Sequence, residues 1–218
     1  MPWLYRIAGS TFPHVVGWRT RWAGTEHIPA GGFVLAANHI SSVDPFVLGM
    51  PLWPARRPVL YMAKAELFNR WLGWAMRAIG TFPVRRGEAD SDAMRTALEL
   101  LRSGQIVGMF PEGTRARKGL RKKFAPQPHT GTARIALNAG VPLVPAAITG
   151  TDRLLGTGPI TITFGPPVQV DDLTGMPRRK AAEIATERLM QQIAGLLAGG
   201  GPEDKEQDAR LGYTTSHQ

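Results

Sequence analysis

Six short apolar runs, interspersed with helix-patterned stretches, set the first limit on how this chain can fold. They are Phe33–Ala37, Pro58–Ala63, Thr81–Val84, Gln105–Phe110, Leu143–Thr149 and Ile160–Phe164. Runs of this length suit strands covered on both faces, as in a parallel sheet, although periodicity alone does not separate them from buried helix. Between and after them, Asp92–Arg102 places Met94, Leu98 and Leu101 at helical spacing, with Asp90 or Ser91 to cap it and Gly104 to close it. Thr132–Ala139 reads as a shorter helix ending at Gly140. Pro177–Leu197 reads as a long amphipathic one with Ile184, Leu189, Ile193 and Leu197 on one side. Strands alternating with helices predict an α/β domain: a central, mostly parallel sheet flanked by helices.

Three divisions are expected. Residues 1–23 form an N-terminal helical segment, 24–197 the main domain, and 198–218 a disordered tail marked by its Gly-Gly-Gly-Pro run and polar composition. The N-terminal segment mixes Trp3, Tyr5, Trp18 and Trp22 with Arg6, Arg19 and Arg21, residues that favour a membrane interface. A plain helix packing its aromatics on the core accounts for it equally well. No stretch is apolar for the ~20 residues a spanning helix needs.

The net charge of +9 understates the body of the chain. The last 18 residues carry −2, leaving +11 on the first 200. Such a surface attracts nucleic acid, an anionic membrane or a phosphorylated substrate, and charge alone does not choose among them. There is no cysteine, so disulfide frameworks, thiol nucleophiles and thiolate metal sites are excluded. The five histidines have no metal-ligand spacing. A phosphate-binding Gly-rich loop and a Gly-x-Ser-x-Gly elbow are both missing. No metal or cofactor is expected.

Three polar clusters follow directly on predicted strands, where active-site loops of α/β sheets sit. The first is Asn38-His39-Ile40-Ser41-Ser42-Val43-Asp44-Pro45. A histidine there can take a proton near neutral pH, and a nearby aspartate can bind the other ring nitrogen. The same residues also fit a loop histidine followed by a helix start, with Asp44 as cap and Pro45 in the first turn. The second is Phe110-Pro111-Glu112-Gly113-Thr114-Arg115, and the third is Gly80–Gly87 with Arg85 and Arg86 at its end. Each supplies arginine for gripping an oxyanion, and each is also compatible with a solvated turn.

Taken in order, these blocks resemble the lysophosphatidic acid acyltransferase family, the glycerolipid acyltransferases with an Asn-His-x4-Asp signature. Asn38-His39 and Asp44 match its catalytic block, Gly80 to Arg85 its second, and Phe110 to Arg115 its third in full. Val141-Pro142-Leu143-Val144-Pro145 is similar to its fourth, and Pro83 departs from the aliphatic residue frequent in the second. The resemblance covers roughly Gly24 to Pro167. It implies that His39 and Asp44 are catalytic, His39 as base, in direct transfer without an acyl-enzyme. It also implies that Lys64, Arg85, Glu112, Gly113, Thr114 and Arg115 bind the acceptor phosphate. The expected partners are then an acyl thioester, from acyl-CoA or acyl carrier protein, lysophosphatidic acid as acceptor, and a phospholipid surface. The expected place is peripheral or monotopic on the cytoplasmic face of a membrane, and nucleic acid is not expected. Glycerol-3-phosphate or another lysophospholipid as acceptor stays open. So does a non-catalytic module binding anionic membrane, which explains the charge but not the ordered blocks. The basic loop from Arg115 to Lys123 fits either lipid contact or a solvated turn.

Overall fold

The computed structural model describes residues 17–64, 80–84, 90–113, 128–153 and 158–199. Among these residues seven strands form one sheet: β1 (Thr20–Ala23), β2 (Phe33–Ala37), β3 (Val59–Lys64), β4 (Thr81–Val84), β5 (Ile106–Met109), β6 (Leu143–Thr149) and β7 (Ile160–Phe164). Their order is β1-β7-β6-β2-β5-β3-β4. Every neighbouring pair is parallel except β6 with β7. That exception has a simple cause. Only residues 150–159 join β6 to β7, too few for the helical crossover that a parallel return requires.

Among the described residues four α-helices cover the sheet: α1 (Asp44–Gly49), α2 (Asp90–Arg102), α3 (Gly131–Ala139) and α4 (Arg178–Ala198). Side chains alternate across each strand, so the sheet serves two cores. On one face Phe33, Leu35, Tyr61, Ile106 and Ile148 meet Val47 and Leu48 of α1. On the other, Val34, Ala36 and Val107 meet Ala97 and Leu101 of α2, Ala133 and Ala136 of α3, and Leu189 and Ile193 of α4. All five residues of β2 are fully buried, as a central strand of this kind demands.

The apolar runs match six of the strands to within a residue or so at each end. Two expectations need correction. An N-terminal helix does not run through residue 23. Residues 17–19 form a 3-10 turn, and Thr20–Ala23 pairs with β7 as an edge strand. Thr20 and Trp22 are good strand residues. Trp22 packs on the core while Arg21 faces out, and shortness and charge together protect the edge. The buried side of α4 is also different. It is built on Ala181, Ala185, Leu189 and Ile193 at four-residue spacing, with Ala182 and Thr186 beside them, while Leu197 is exposed. Small side chains let α4 lie close on β6. Leu189 and Ile193 then each contribute ~1.5–3 kcal/mol by burial.

Residues 1–16 of the expected interfacial segment and residues 200–218 of the expected tail lie outside the described residues, as does the basic loop. Among the described residues no helix is long and apolar enough to cross a membrane.

α4 is tied to the turn before it by Arg188, whose guanidinium donates two parallel bonds of 2.7 Å to Asp172 and another of 2.7 Å to the Gln169 carbonyl. The hydrogen bonds from Arg188 hold the Asp172 carboxyl below its usual range. A lowered carboxyl pKa contributes stability above the unfolded-state value and loses it as pH falls through the folded-state value. Both groups are partly solvated, so the effect is small. Thermal melts of Arg188→Gln against the parent should differ at neutral pH, with the parent slightly more stable. The gap should close as pH falls through the carboxylate range.

Candidate active site

The parallel strands β2, β3, β4, β5 and β6 bring their carboxyl ends to one edge of the sheet. β2 and β5 are neighbours, yet β2 leads into α1 on one face and β5 leads toward α3 on the other. The connections part there and leave a crevice between the two strand ends, where open α/β sheets bind ligands. His39 lies at the end of β2 and Phe110 at the end of β5. Their rings stack across the crevice with centroids 4.3 Å apart and planes 23° apart.

Asn38 fixes where the chain leaves the sheet. β2 stops pairing at Ala37, which would leave Ile148 of β6 with a buried N–H and C=O and no strand beside them. The Asn38 side chain replaces that strand. Its Oδ1 accepts from Ile148 N at 2.7 Å, and its Nδ2 donates to Ile148 O at 2.8 Å. Asn38 is itself buried, and the next residue is His39.

His39 Nδ1 lies 2.8 Å from Asp44 Oδ2. That oxygen also accepts the backbone N–H groups of Ile40 and Ser41, each at 2.7 Å. The other oxygen, Oδ1, accepts the Thr151 hydroxyl at 2.5 Å. Four donors thus converge on the carboxylate, three at Oδ2 and one at Oδ1. The Asp44 side chain is fully buried. With the carboxylate accepting at Oδ2, Nδ1 carries a hydrogen, and in the neutral ring Nε2 then holds the lone pair. Nε2 has no hydrogen-bond partner among the described residues. A ring held this way can take a proton at Nε2 while Asp44 stabilises the imidazolium.

The helix-start reading of Asp44 is half right. Asp44 opens α1 and Pro45 follows in its first turn, but no side chain caps the helix. The carboxylate turns back over Ile40 and Ser41, so the short loop wraps around it.

Behind Phe110, Tyr61 of β3 continues the stack with centroids 6.0 Å apart. Gly108 leaves the room: a Cβ there would fall 2.2 Å from the Tyr61 ring. After Phe110 the chain turns at once. Gly113 N donates to Phe110 O at 3.0 Å, and His129 N donates to Pro111 O at 3.0 Å. Gly113 has φ +69, and any Cβ would meet the His129 ring at 2.6 Å, so the turn requires glycine there. Half-buried Glu112 sits within this turn, at the end of β5. Lys64 is the last residue of β3, level with Val84 of β4, at the same edge. Of the expected site residues, His39, Asp44, Glu112 and Gly113 are therefore gathered at the carboxyl edge, with the Lys64 backbone there too. Arg85, Thr114 and Arg115 lie outside the described residues.

Two residues of this arrangement escaped the sequence reading. Phe110 stood inside a recognised block but had no assigned part. Thr151 follows β6 as His39 follows β2, and that position was its one available signal. Among the described residues no three His, Asp or Glu side chains cluster closely enough to hold a metal ion.

Asn38→Ala would leave both polar groups of Ile148 buried without partners, at a cost of about 2–5 kcal/mol. Urea unfolding should register that loss. Asn38→Asp should recover little, because a carboxylate cannot donate to the Ile148 carbonyl.

Comparison with known proteins gives a consistent result. Residues 19–149 match the family model described as Acyltransferase. A 1-acyl-sn-glycerol-3-phosphate acyltransferase of Bacillus subtilis (strain 168) is 36% identical over 173 residues, covering 77% of this chain and 83% of the relative. One from Streptococcus pneumoniae is 29% identical over 176 residues, covering 78% of this chain and 62% of the relative. A chloroplastic one from Brassica napus is 32% identical over 146 residues, covering 65% and 40%.

Proposed function

The chain belongs to the acyltransferase family, and on that premise we propose that it transfers a fatty acyl group to the free hydroxyl of lysophosphatidic acid, giving phosphatidic acid. The observation that carries this reading is the His39 ring, held 2.8 Å from a buried Asp44 at the carboxyl edge of the sheet with Nε2 left open. The names of the relatives supply the acceptor.

In this mechanism Nε2 of His39 takes the proton of the acceptor hydroxyl as its oxygen attacks the thioester carbonyl. The carbon–sulfur bond then breaks, and the departing thiolate takes the proton back from the imidazolium. Asp44 stabilises the charged ring throughout. Glu112, Gly113, Thr114 and Arg115, with Lys64 and Arg85, make up the acceptor side, where the cationic side chains hold the phosphate. Acyl-CoA and acyl carrier protein are both suitable donors, and the protein's own residues supply all the chemistry without a cofactor.

We place the reaction at a membrane surface, with the chain as a peripheral protein on the cytoplasmic face. Support comes from the direction of β1. It is parallel to β7, which is antiparallel to β6, so the turn before β1 lies at the same edge as His39. Trp18 on that turn is 77% exposed, and Arg19 beside it donates to the Gly158 carbonyl at 3.1 Å. An exposed indole next to arginine suits the headgroup region.

The test is an acyl-transfer assay with both donors against lysophosphatidic acid, glycerol-3-phosphate and a lysophospholipid without a terminal phosphate. Transfer should be fastest to lysophosphatidic acid, and His39→Ala should lower kcat by ~10²–10⁴. Near-normal turnover by that variant, or transfer to every acceptor except lysophosphatidic acid, would overturn the reading. Separately, Trp18→Ala should weaken co-sedimentation with anionic vesicles.

A further inference from the structure

Among the described donors to Asp44, Thr151 alone comes from a distant part of the chain. It begins the 3-10 turn Thr151–Arg153 directly after β6 and is 1% exposed. Its hydroxyl reaches Asp44 Oδ1 at 2.5 Å across 107 residues of sequence. Threonines after a strand commonly bond their own turn. This one instead bonds a carboxylate from another element.

The two oxygens of Asp44 are served unequally. Oδ2 receives His39 and two backbone N–H groups, whereas Oδ1 receives Thr151. Without the hydroxyl, Oδ1 is buried with no donor. The carboxylate then gains by rotating about its Cβ–Cγ bond to share the Oδ2 donors between its oxygens. Such a rotation changes the direction from which His39 Nδ1 is held, and with it the aim of Nε2.

The turn carrying Thr151 is anchored by the same arginine that braces the N-terminal turn. Arg19 donates to the Arg153 carbonyl at 3.4 Å as well as to Gly158. The hydroxyl is thus delivered from a fixed point of the sheet edge, opposite the Phe110 side of the crevice. β5 holds the ring by its face, and β6 holds it through Asp44.

We propose that Thr151 is a positioning residue for acyl transfer: it locks the rotation of the Asp44 carboxylate and thereby fixes the orientation and tautomer of His39. This inference rests on the proposed role of His39 as base, and the experiment keeps the two apart.

Thr151→Val removes the donor and keeps the shape; Thr151→Ala removes both; Thr151→Ser keeps the donor. For each, kcat and KM for donor and acceptor are measured. In parallel, 15N spectra are recorded on histidine-labelled protein, with the His39 signals identified by their loss in His39→Ala. The valine and alanine variants should lose about tenfold in kcat, the equivalent of one hydrogen bond, with both KM values within about twofold of the parent. Serine should stay within about twofold in kcat. The His39 15N shifts should move in valine and alanine and hold in serine. Should the valine variant not fold, alanine and serine decide between them. The proposal is overturned if kcat survives loss of the hydroxyl, if serine falls as far as valine, or if the His39 shifts stay unmoved in all three. An inactive parent enzyme would instead sink the acyl-transfer reading, and the 15N shifts would still decide the part played by Thr151.

Discussion

A single buried carboxylate organises the carboxyl edge of the sheet. Asp44 is taken wholly out of water, which costs several kcal/mol unless every lone pair finds a donor. The donors come from the loop after β2, from the ring of His39 and from the turn after β6. Satisfying that one group therefore dictates the path of residues 38–44, the orientation of the imidazole and the position of the turn after β6. Loss of any one donor leaves a charge underserved in a low dielectric, where the penalty is largest. The geometry is consequently defined from several directions at once.

The sheet makes this convergence possible. His39 and Thr151 lie more than a hundred residues apart and converge on Asp44 because β2 and β6 are adjacent and parallel. The Asn38 carboxamide then continues the pairing one step past the last strand residue. In the other direction, β5 and β3 carry the Phe110 and Tyr61 rings that support the imidazole. The crevice between β2 and β5 opens because their following helices lie on opposite faces.

Much of this was legible in the sequence, for definite reasons. Doubly buried strands are nearly pure apolar runs, so β2, β5 and β6 announced themselves, and their polar ends marked the site edge. β1 did not, because the four residues of this short edge strand look no different from the aromatic and basic stretch around them. The face of α4 was misjudged in part because bulky residues draw notice, whereas Ala181, Ala182 and Ala185 are buried beside Leu189 and Ile193. The proximity of His39 and Asp44 could be anticipated from their spacing. The shell around Asp44 could not, since two of its donors are backbone N–H groups and a third is a threonine brought in by long-range strand pairing.

The ring stack has a consequence for motion. His39 rests against Phe110, Phe110 against Tyr61, and Tyr61 over Gly108, so the imidazole is supported by the middle of the sheet. Its other side is held by a carboxylate bonded to both neighbouring loops. Turning the ring away from this position gives up the Phe110 stack, the Asp44 bond or both. The imidazole keeps its direction for as long as the central strands stay paired and Asp44 keeps its donors.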